Sequence, residues 1–191
     1  MTKISLTLLA ATAALAAAAV HAEPATYAID PTHTFVTFEA KHFGTSTNRG
    51  RFDKKSGSIT LDVAAKTGKV DVALETASIN TGTAPFDNHL KSKDFFNVEA
   101  FPKATFTSDK VIFDGDKVSA VVGAFTLLGK TQTVTLKANN FNCYQNPMLK
   151  REVCGGDFDT TIQRGDFGMT YGLPGIPNDI HLIIQIEAVK Q

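Results

Sequence analysis

Four histidines are the side chains best suited to metal or acid–base chemistry beyond residue 22: His33, His42, His89 and His181. None has a second histidine two or four positions away, the spacing that turns two imidazoles toward one metal ion from a single strand or helix. We therefore predict no metal site, the alternative being one assembled from distant parts of the chain.

Nucleophilic motifs are incomplete. One segment, GTSTN from Gly44, begins like the sharp turn that presents a catalytic serine, but the closing glycine is missing. The sequence contains no H-E-x-x-H motif, and Gly155-Gly156 opens no phosphate-binding loop. Catalysis would have to rest on a titratable group such as His42 or Asp166.

Two charges continue the apolar face of a predicted strand, since Arg164 and Asp166 share the parity of Phe158 and Ile162. A lone buried charge is costly, so we expect the two to neutralise each other. The alternative is that the guanidinium of Arg164 donates hydrogen bonds to a ligand head group. His42 ends another apolar face, where it either bonds a backbone carbonyl or donates to the polar end of a lipid-like ligand.

The first 22 residues are typical of a secretory signal peptide. Lys3 precedes an uncharged, Ala-rich stretch, and Val20-His21-Ala22 is a small-x-small cleavage site. Cleavage after Ala22 would leave an exported domain of residues 23–191, the alternative being that the segment is retained as an anchor. No later segment has the length of a membrane span, so we expect no stable membrane insertion.

Cys143 and Cys154 both lie in the exported part, where the compartment is oxidising. An isolated pair there is most simply a disulfide, closing a loop worth about 2–3 kcal/mol in the chain-entropy model. The alternative is a redox or metal pair, which the spacing disfavours because it is far from C-x-x-C and no histidine lies between the two.

Charge and composition narrow the class of protein. The 191 residues carry 19 basic and 19 acidic side chains, a net charge of zero, whereas nucleic acids are bound largely through clustered Lys and Arg. We therefore predict no nucleic-acid partner. The 14 phenylalanines, with no tryptophan, suit either an ordinary core or a tunnel for an acyl or isoprenoid chain.

Apolar residues recur at every second position in several segments, as at Val70, Val72 and Leu74, which is typical of strands with one buried face. Turn signals separate these segments. We predict an all-β fold of eight antiparallel strands, closed as a barrel, with a two-sheet sandwich as the alternative. The strands are expected near residues 27–42, 51–62, 68–80, 103–113, 117–127, 131–141, 156–168 and 179–189.

One segment, from Pro85 to Phe101, lacks this alternation. Asp87 is expected to cap a short helix there. Four phenylalanines cluster in the same segment, as expected of a lid over a barrel mouth: Phe86, Phe95, Phe96 and Phe101.

Several long, ordered motifs span the chain after residue 22. They are Tyr27-x-Ile29-Asp30-x-x-His33-Thr34-x-Val36-x-Phe38, Lys41-His42-x-Gly44, Gly50-x-Phe52, His89-Leu90-Lys91-Ser92-x-Asp94-Phe95-Phe96, Phe101-Pro102-x-Ala104-x-Phe106 and Ile186-x-Ala188. Together they resemble the YceI family of bacterial lipid-binding proteins, over essentially the whole chain after residue 22. Two features depart from the family: Phe125 stands where leucine is usual, which would narrow a tunnel locally, and the loop from Cys143 to Cys154 is absent from many members.

The resemblance implies a lipocalin-like barrel whose interior holds a polyisoprenoid, a quinone or another long-chain amphiphile. It also implies a periplasmic location and a possible homodimer. We predict a carrier without a cofactor, the alternatives being an enzyme acting on an isoprenoid or quinone in the same barrel and a binding module with a packed, ligand-free core. The residues expected to meet the ligand are Val36, Phe38, Val70, Val72, Phe106, Phe158, Ile162, Arg164 and Ile184, with His42, His89 and Phe95 nearer an opening.

Overall fold

A computed structural model describes residues 23–191, so the predicted signal peptide and its cleavage site lie outside the described residues. The described part contains eleven strands, one α-helix, and two 3-10 helices at Thr76–Ser78 and Arg164–Phe167. The helix is α1 (Ala84–Lys91), and the strands are β1 (Ala25–Ile29), β2 (Phe35–His42), β3 (Ser46–Phe52), β4 (Lys55–Asp62), β5 (Thr67–Glu75), β6 (Ile79–Asn80), β7 (Lys103–Asp114), β8 (Lys117–Leu127), β9 (Lys130–Asn146), β10 (Arg151–Gln163) and β11 (Asp179–Lys190).

The strands form a closed antiparallel barrel. Its order is β1-β4-β5-β7-β8-β9-β10-β11, and β1 pairs with β11 to close it. The other three strands continue earlier paths after short breaks: β2 follows β1 along β11, β3 precedes β4, and β6 follows β5. Eight strand paths therefore surround the barrel, which confirms the predicted eight-stranded barrel and excludes the sandwich.

The break between β1 and β2 has a local cause. The Asp30 carboxylate accepts hydrogen bonds from the backbone N–H and the hydroxyl of Thr32, and lies 2.7 Å from Nδ1 of His33. Burial opposes the charge on Asp30, but the bonds from His33 and Thr32 outweigh it and lower its pKa to about 2. This side-chain turn interrupts the ladder that the sequence predicts to run unbroken from residue 27 to 42.

The helix lies where the sequence predicts a short one, but its first residue is different. The residue before α1 is Thr83, and Pro85 lies at the start of the helix, where a missing N–H costs nothing. Asp87 is inside the first turn, and its carboxylate binds the backbone N–H and hydroxyl of Thr81, each at 2.7 Å. The prediction that Asp87 caps α1 is therefore wrong, and its side chain instead joins the helix to the end of β6.

The predicted disulfide is present. Cys143 and Cys154 are register partners on β9 and β10, with an S–S distance of 2.04 Å. These two strands extend beyond the predicted ends because cross-strand pairing continues from the disulfide to Asn146 and Arg151. The disulfide therefore lies near the β9–β10 turn, at the end of the barrel away from α1.

Two clusters of buried apolar side chains lie along the inner wall of the barrel, one toward each end. One includes Leu90 of α1, and the other surrounds Cys154 near the disulfide. Phe106 and Leu136 pack against both clusters, so they mark the middle of the barrel. No helix within residues 23–191 has the length and apolarity that crossing a bilayer would need.

Candidate ligand-binding lumen

A cavity of about 610 Å³ runs through the interior of the barrel. Its wall is built from alternate residues of the strands, because side chains of one parity face inward around a closed sheet. Its volume is within the range of pockets that enclose a small organic ligand. The interior is therefore hollow, and the alternative of a fully packed barrel does not hold.

The lumen opens at the α1 end. Lining residues at that end are exposed, including Phe43 at 65% and Tyr171 at 49%. Lining residues at the disulfide end are buried, as are Leu61 at 6% and Val118 at 4%. An elongated molecule would therefore enter beside α1 and extend toward the disulfide.

All twelve residues that the sequence predicts to meet a ligand line this one cavity, and that they touch a ligand stays a prediction. Strand alternation brings most of them together, while α1 and the segment after it supply the remainder. They are Val36, Phe38, His42, Val70, Val72, His89, Phe95, Phe106, Phe158, Ile162, Arg164 and Ile184.

Polar groups at the closed end already have protein partners. The Tyr27 hydroxyl donates to Oε1 of Glu152 at 2.6 Å, and the pKa of Tyr27 is raised by burial and by this carboxylate. The Thr34 hydroxyl donates to the carbonyl oxygen of Glu187 at 3.1 Å. This end can offer a bound molecule mainly apolar contact.

At the open end, aromatic side chains from distant parts of the chain meet. The His89 ring makes edge contacts with Phe95 and Tyr171, at centroid distances of 5.0 and 5.3 Å. Nε2 of His89 lies 3.2 Å from a carboxylate oxygen of Asp94, so this edge of the ring is turned toward the segment that follows α1. These contacts connect α1 and its following segment to the loop between β10 and β11.

That loop, residues 168–178, also docks on the β2–β3 turn. The backbone N–H of Phe43 donates to the carbonyl oxygen of Gly175 at 3.1 Å. The Phe43 ring lies over Gly175, where a Cβ would collide with it. A side chain at this position would therefore have to displace the Phe43 ring.

Arg164 is not paired with Asp166, contrary to the sequence prediction. The strand alternation ends at Gln163, and the next residues form a 3-10 helix that turns Asp166 to the surface. The Arg164 side chain is 2% exposed, and burial lowers its pKa. Its guanidinium donates to four carbonyl oxygens of the 168–178 loop: those of Met169 (3.0 Å), Tyr171 (2.8 Å), Ile176 (2.9 Å) and Pro177 (2.9 Å).

The sequence prediction missed several residues that line the cavity. Phe43, Tyr171 and Ile176 belong to turns or loops, where no alternating pattern marks them. Leu136 does follow the alternation of β9, so the same pattern could have identified it. Phe125 also lines the cavity, with its ring edge-on to Phe167 at 5.4 Å.

Within residues 23–191, the lumen lining contains no Asp, Glu or Lys side chain. No three His, Cys, Asp or Glu side chains of these residues are placed to hold a metal ion. Asp166 is not part of the lining, whereas His42 is, at the exposed end of β2. The arrangement is suited above all to enclosing an apolar chain.

Comparisons with known proteins agree with this architecture. Protein YceI of Salmonella arizonae is 36% identical over 160 residues, which cover 83% of this chain and 83% of the relative. The solved structure of the Campylobacter jejuni YCEI protein superposes with a TM-score of 0.64 at 30% identity, covering 79% of this chain and 90% of that one.

A third protein shows the same fold at low sequence identity. It is a polyisoprenoid binding domain from Saccharophagus degradans, with a TM-score of 0.58 at 15% identity, covering 86% of this chain and 98% of that one. The family model described as the YceI-like domain matches residues 27–188. From this match and the identity to the Salmonella protein, we conclude that the chain belongs to the YceI family.

Proposed function

We propose that the protein is an exported carrier that holds one long-chain amphiphile, such as a polyisoprenoid, an isoprenoid quinone or a fatty-acid-like lipid, inside the lumen. The observation that carries the proposal is the apolar cavity of about 610 Å³ that opens beside α1. Family membership supports it, as does the fold shared with a polyisoprenoid binding domain.

The driving force would be removal of an apolar tail from water. Burial is worth roughly 25 cal/mol per Å² of apolar surface, so a tail that hides several hundred Å² gains on the order of 10 kcal/mol. The loss of chain flexibility and of free tumbling reduces this gain. Affinity should therefore rise with chain length until the lumen is full.

Native mass spectrometry of delipidated protein tests the proposal. Farnesol and geranylgeraniol should each bind with one molecule per chain, the longer alcohol at least tenfold more tightly. Leu136→Trp should abolish binding, because Leu136 lies in the middle of the lumen. Thr135→Trp is the matched control, since Thr135 is its exposed neighbour on β9. Equal uptake by the two variants would contradict lumen binding.

Turnover is the outcome that would replace a carrier by an enzyme. For a carrier, we expect added isoprenoid or quinone to be recovered chemically unchanged. Conversion that is lost in His42→Ala would instead assign catalysis to the lumen mouth, where His42 lies.

Location and assembly are part of the same proposal. The disulfide is consistent with an oxidising compartment, and we expect the protein in the periplasmic fraction with Glu23 as its first residue. The intact mass of the protein from its own host checks the cleavage, and a retained residue 1–22 segment would contradict it. Sedimentation of the mature protein checks for the homodimer.

A further inference from the structure

The only permanent charge in the lumen lining, among residues 23–191, is positive. Among residues 23–191, the lining contains no Asp, Glu or Lys, and Arg164 is its single permanently charged member. The other polar side chains near the opening are His42, His89, Asn48 and Tyr171, all able to donate a hydrogen bond. The wall therefore presents donors and a positive charge to any molecule inside it.

Arg164 keeps its charge without a carboxylate partner. No ion pair among the described residues includes it, and its four protein acceptors are neutral backbone carbonyls. A guanidinium carries five N–H groups. Nε and Nη1 donate three bonds and Nη2 one, so one Nη2 N–H has no acceptor among residues 23–191. A cation 2% exposed is costly unless an anion or a further acceptor compensates it.

The charge also lies at the end of the lumen where a head group would stay. Three of its acceptors, Met169, Tyr171 and Ile176, line the cavity themselves. The Tyr171 ring contacts His89 at the opening. An amphiphile whose tail points toward the disulfide would leave its head near this loop. Asp94, a carboxylate at this rim, lies 3.2 Å from Nε2 of His89.

We propose that the lumen selects amphiphiles with an acidic head group, a carboxylate or a phosphate monoester, and that the buried Arg164 guanidinium binds that head. This inference rests on the proposed carrier function. A negative head would compensate the Arg164 charge and accept its remaining Nη2 hydrogen bond. The pair would lie in a poorly solvated site, where a charge-assisted bond is strong.

Ligands with one tail and three heads test the inference on the wild-type protein. Geranylgeraniol, geranylgeranoic acid and geranylgeranyl phosphate are titrated into delipidated protein by calorimetry. At least one of the two acids should bind at least tenfold more tightly than the alcohol, and which one does identifies the head. Equal affinities for all three would overturn the inference but leave the carrier standing. If none of the three binds, the carrier function itself fails.

Two further measurements separate a buried contact from attraction to the surface. A buried pair is screened weakly, so the preference for acid over alcohol should persist at about 1 M salt, and its collapse would overturn the inference. Arg49→Gln removes an exposed arginine outside the barrel and should leave the preference unchanged. In wild-type protein, the Arg164 side-chain NMR signals, identified by their loss in Arg164→Lys, should shift with the acid and not with the alcohol.

Discussion

The ring of Phe38 lies against the backbone of Gly50, its register partner on the neighbouring strand. A Cβ on Gly50 would lie 2.6 Å from Cε1 of the ring and 3.0 Å from Cγ2 of Thr81. Phe38 also lines the lumen. The missing side chain thus lets the ring pack over β3 instead of projecting further into the cavity.

Gly50→Ala should therefore narrow the lumen. The new methyl group would push the Phe38 ring inward, weaken geranylgeraniol binding, and lower the free energy of unfolding by about 1–3 kcal/mol through overpacking. Calorimetry and urea unfolding measure the two effects. Adding Phe38→Leu in the same chain should restore much of the binding, since a smaller side chain leaves room for the methyl. Unchanged binding in Gly50→Ala would show that the Phe38 ring moves in a direction that does not narrow the lumen.

The disulfide should contribute to stability more than to binding. Cys143 and Cys154 are 11 residues apart, and the chain-entropy model assigns about 3 kcal/mol to a loop of that size. Replacing both by alanine should lower the free energy of unfolding by about that amount. Denaturant unfolding with and without a reductant is the measurement, and only the wild-type curve should move. A wild-type curve that is insensitive to complete reduction would contradict this account.

The lumen was the most predictable part of the molecule, because alternation with a period of two follows directly from strand geometry. Val70 and Val72 on β5, or Ile184 on β11, could be assigned to the inner face from apolarity alone, and all three line the cavity. The same rule failed at Asp166, which is exposed and outside the lining, because the rule holds only while the chain remains a strand. The chain leaves β10 at Gln163, and no local pattern marks that point.

The opening was less predictable, because it depends on contacts between distant segments. Phe43 meets Gly175, and His89 meets Tyr171, each pair far apart in sequence. Turn residues signal that a loop is present, but they do not say which other loop it will touch.

A charged network crosses five strands on the outer face of the barrel, with His181 at its centre. Nε2 of His181 lies 3.2 Å from Asp159, and Nδ1 lies 3.4 Å from Glu39. Arg49 and Asn139 bind the far sides of the two carboxylates. The hydrogen bond to Asp159 and then that to Glu39 raise the pKa of His181 above 6.5, while burial opposes them.

This network predicts a pH dependence with a definite sign. Because the folded pKa of His181 is raised, its contribution to stability is complete below about pH 6.5 and is lost as the pH rises through the folded value. The difference in unfolding free energy between wild type and His181→Gln should be largest near pH 5.5 and shrink by about pH 8.5. His33 remains in both proteins and cancels from the difference. A difference that grows with pH would contradict the assignment.

Arg164 also holds the 168–178 loop in place, apart from any role toward a ligand. Arg164→Met would leave four carbonyls without their donor, and hydrogen bonds to charged groups are worth about 1.5–3 kcal/mol each. Because water can reach a loop at the opening, we expect a net loss of about 3 kcal/mol, with opening of the loop before the barrel unfolds.

Hydrogen exchange can separate the two events. In Arg164→Met, two amides of the loop should exchange much faster: that of Met169, which donates to the carbonyl oxygen of residue 164, and that of Ile176, which donates to Gly172. Amides in the middle of β9 should change little. Asp166→Asn is the matched control, because Asp166 is exposed and not bonded to Arg164. It should leave exchange in the loop unchanged. If Asp166→Asn loosened the loop as much as Arg164→Met, the ion pair expected from strand parity would be the better description of this corner, and the carbonyl contacts would not be its support.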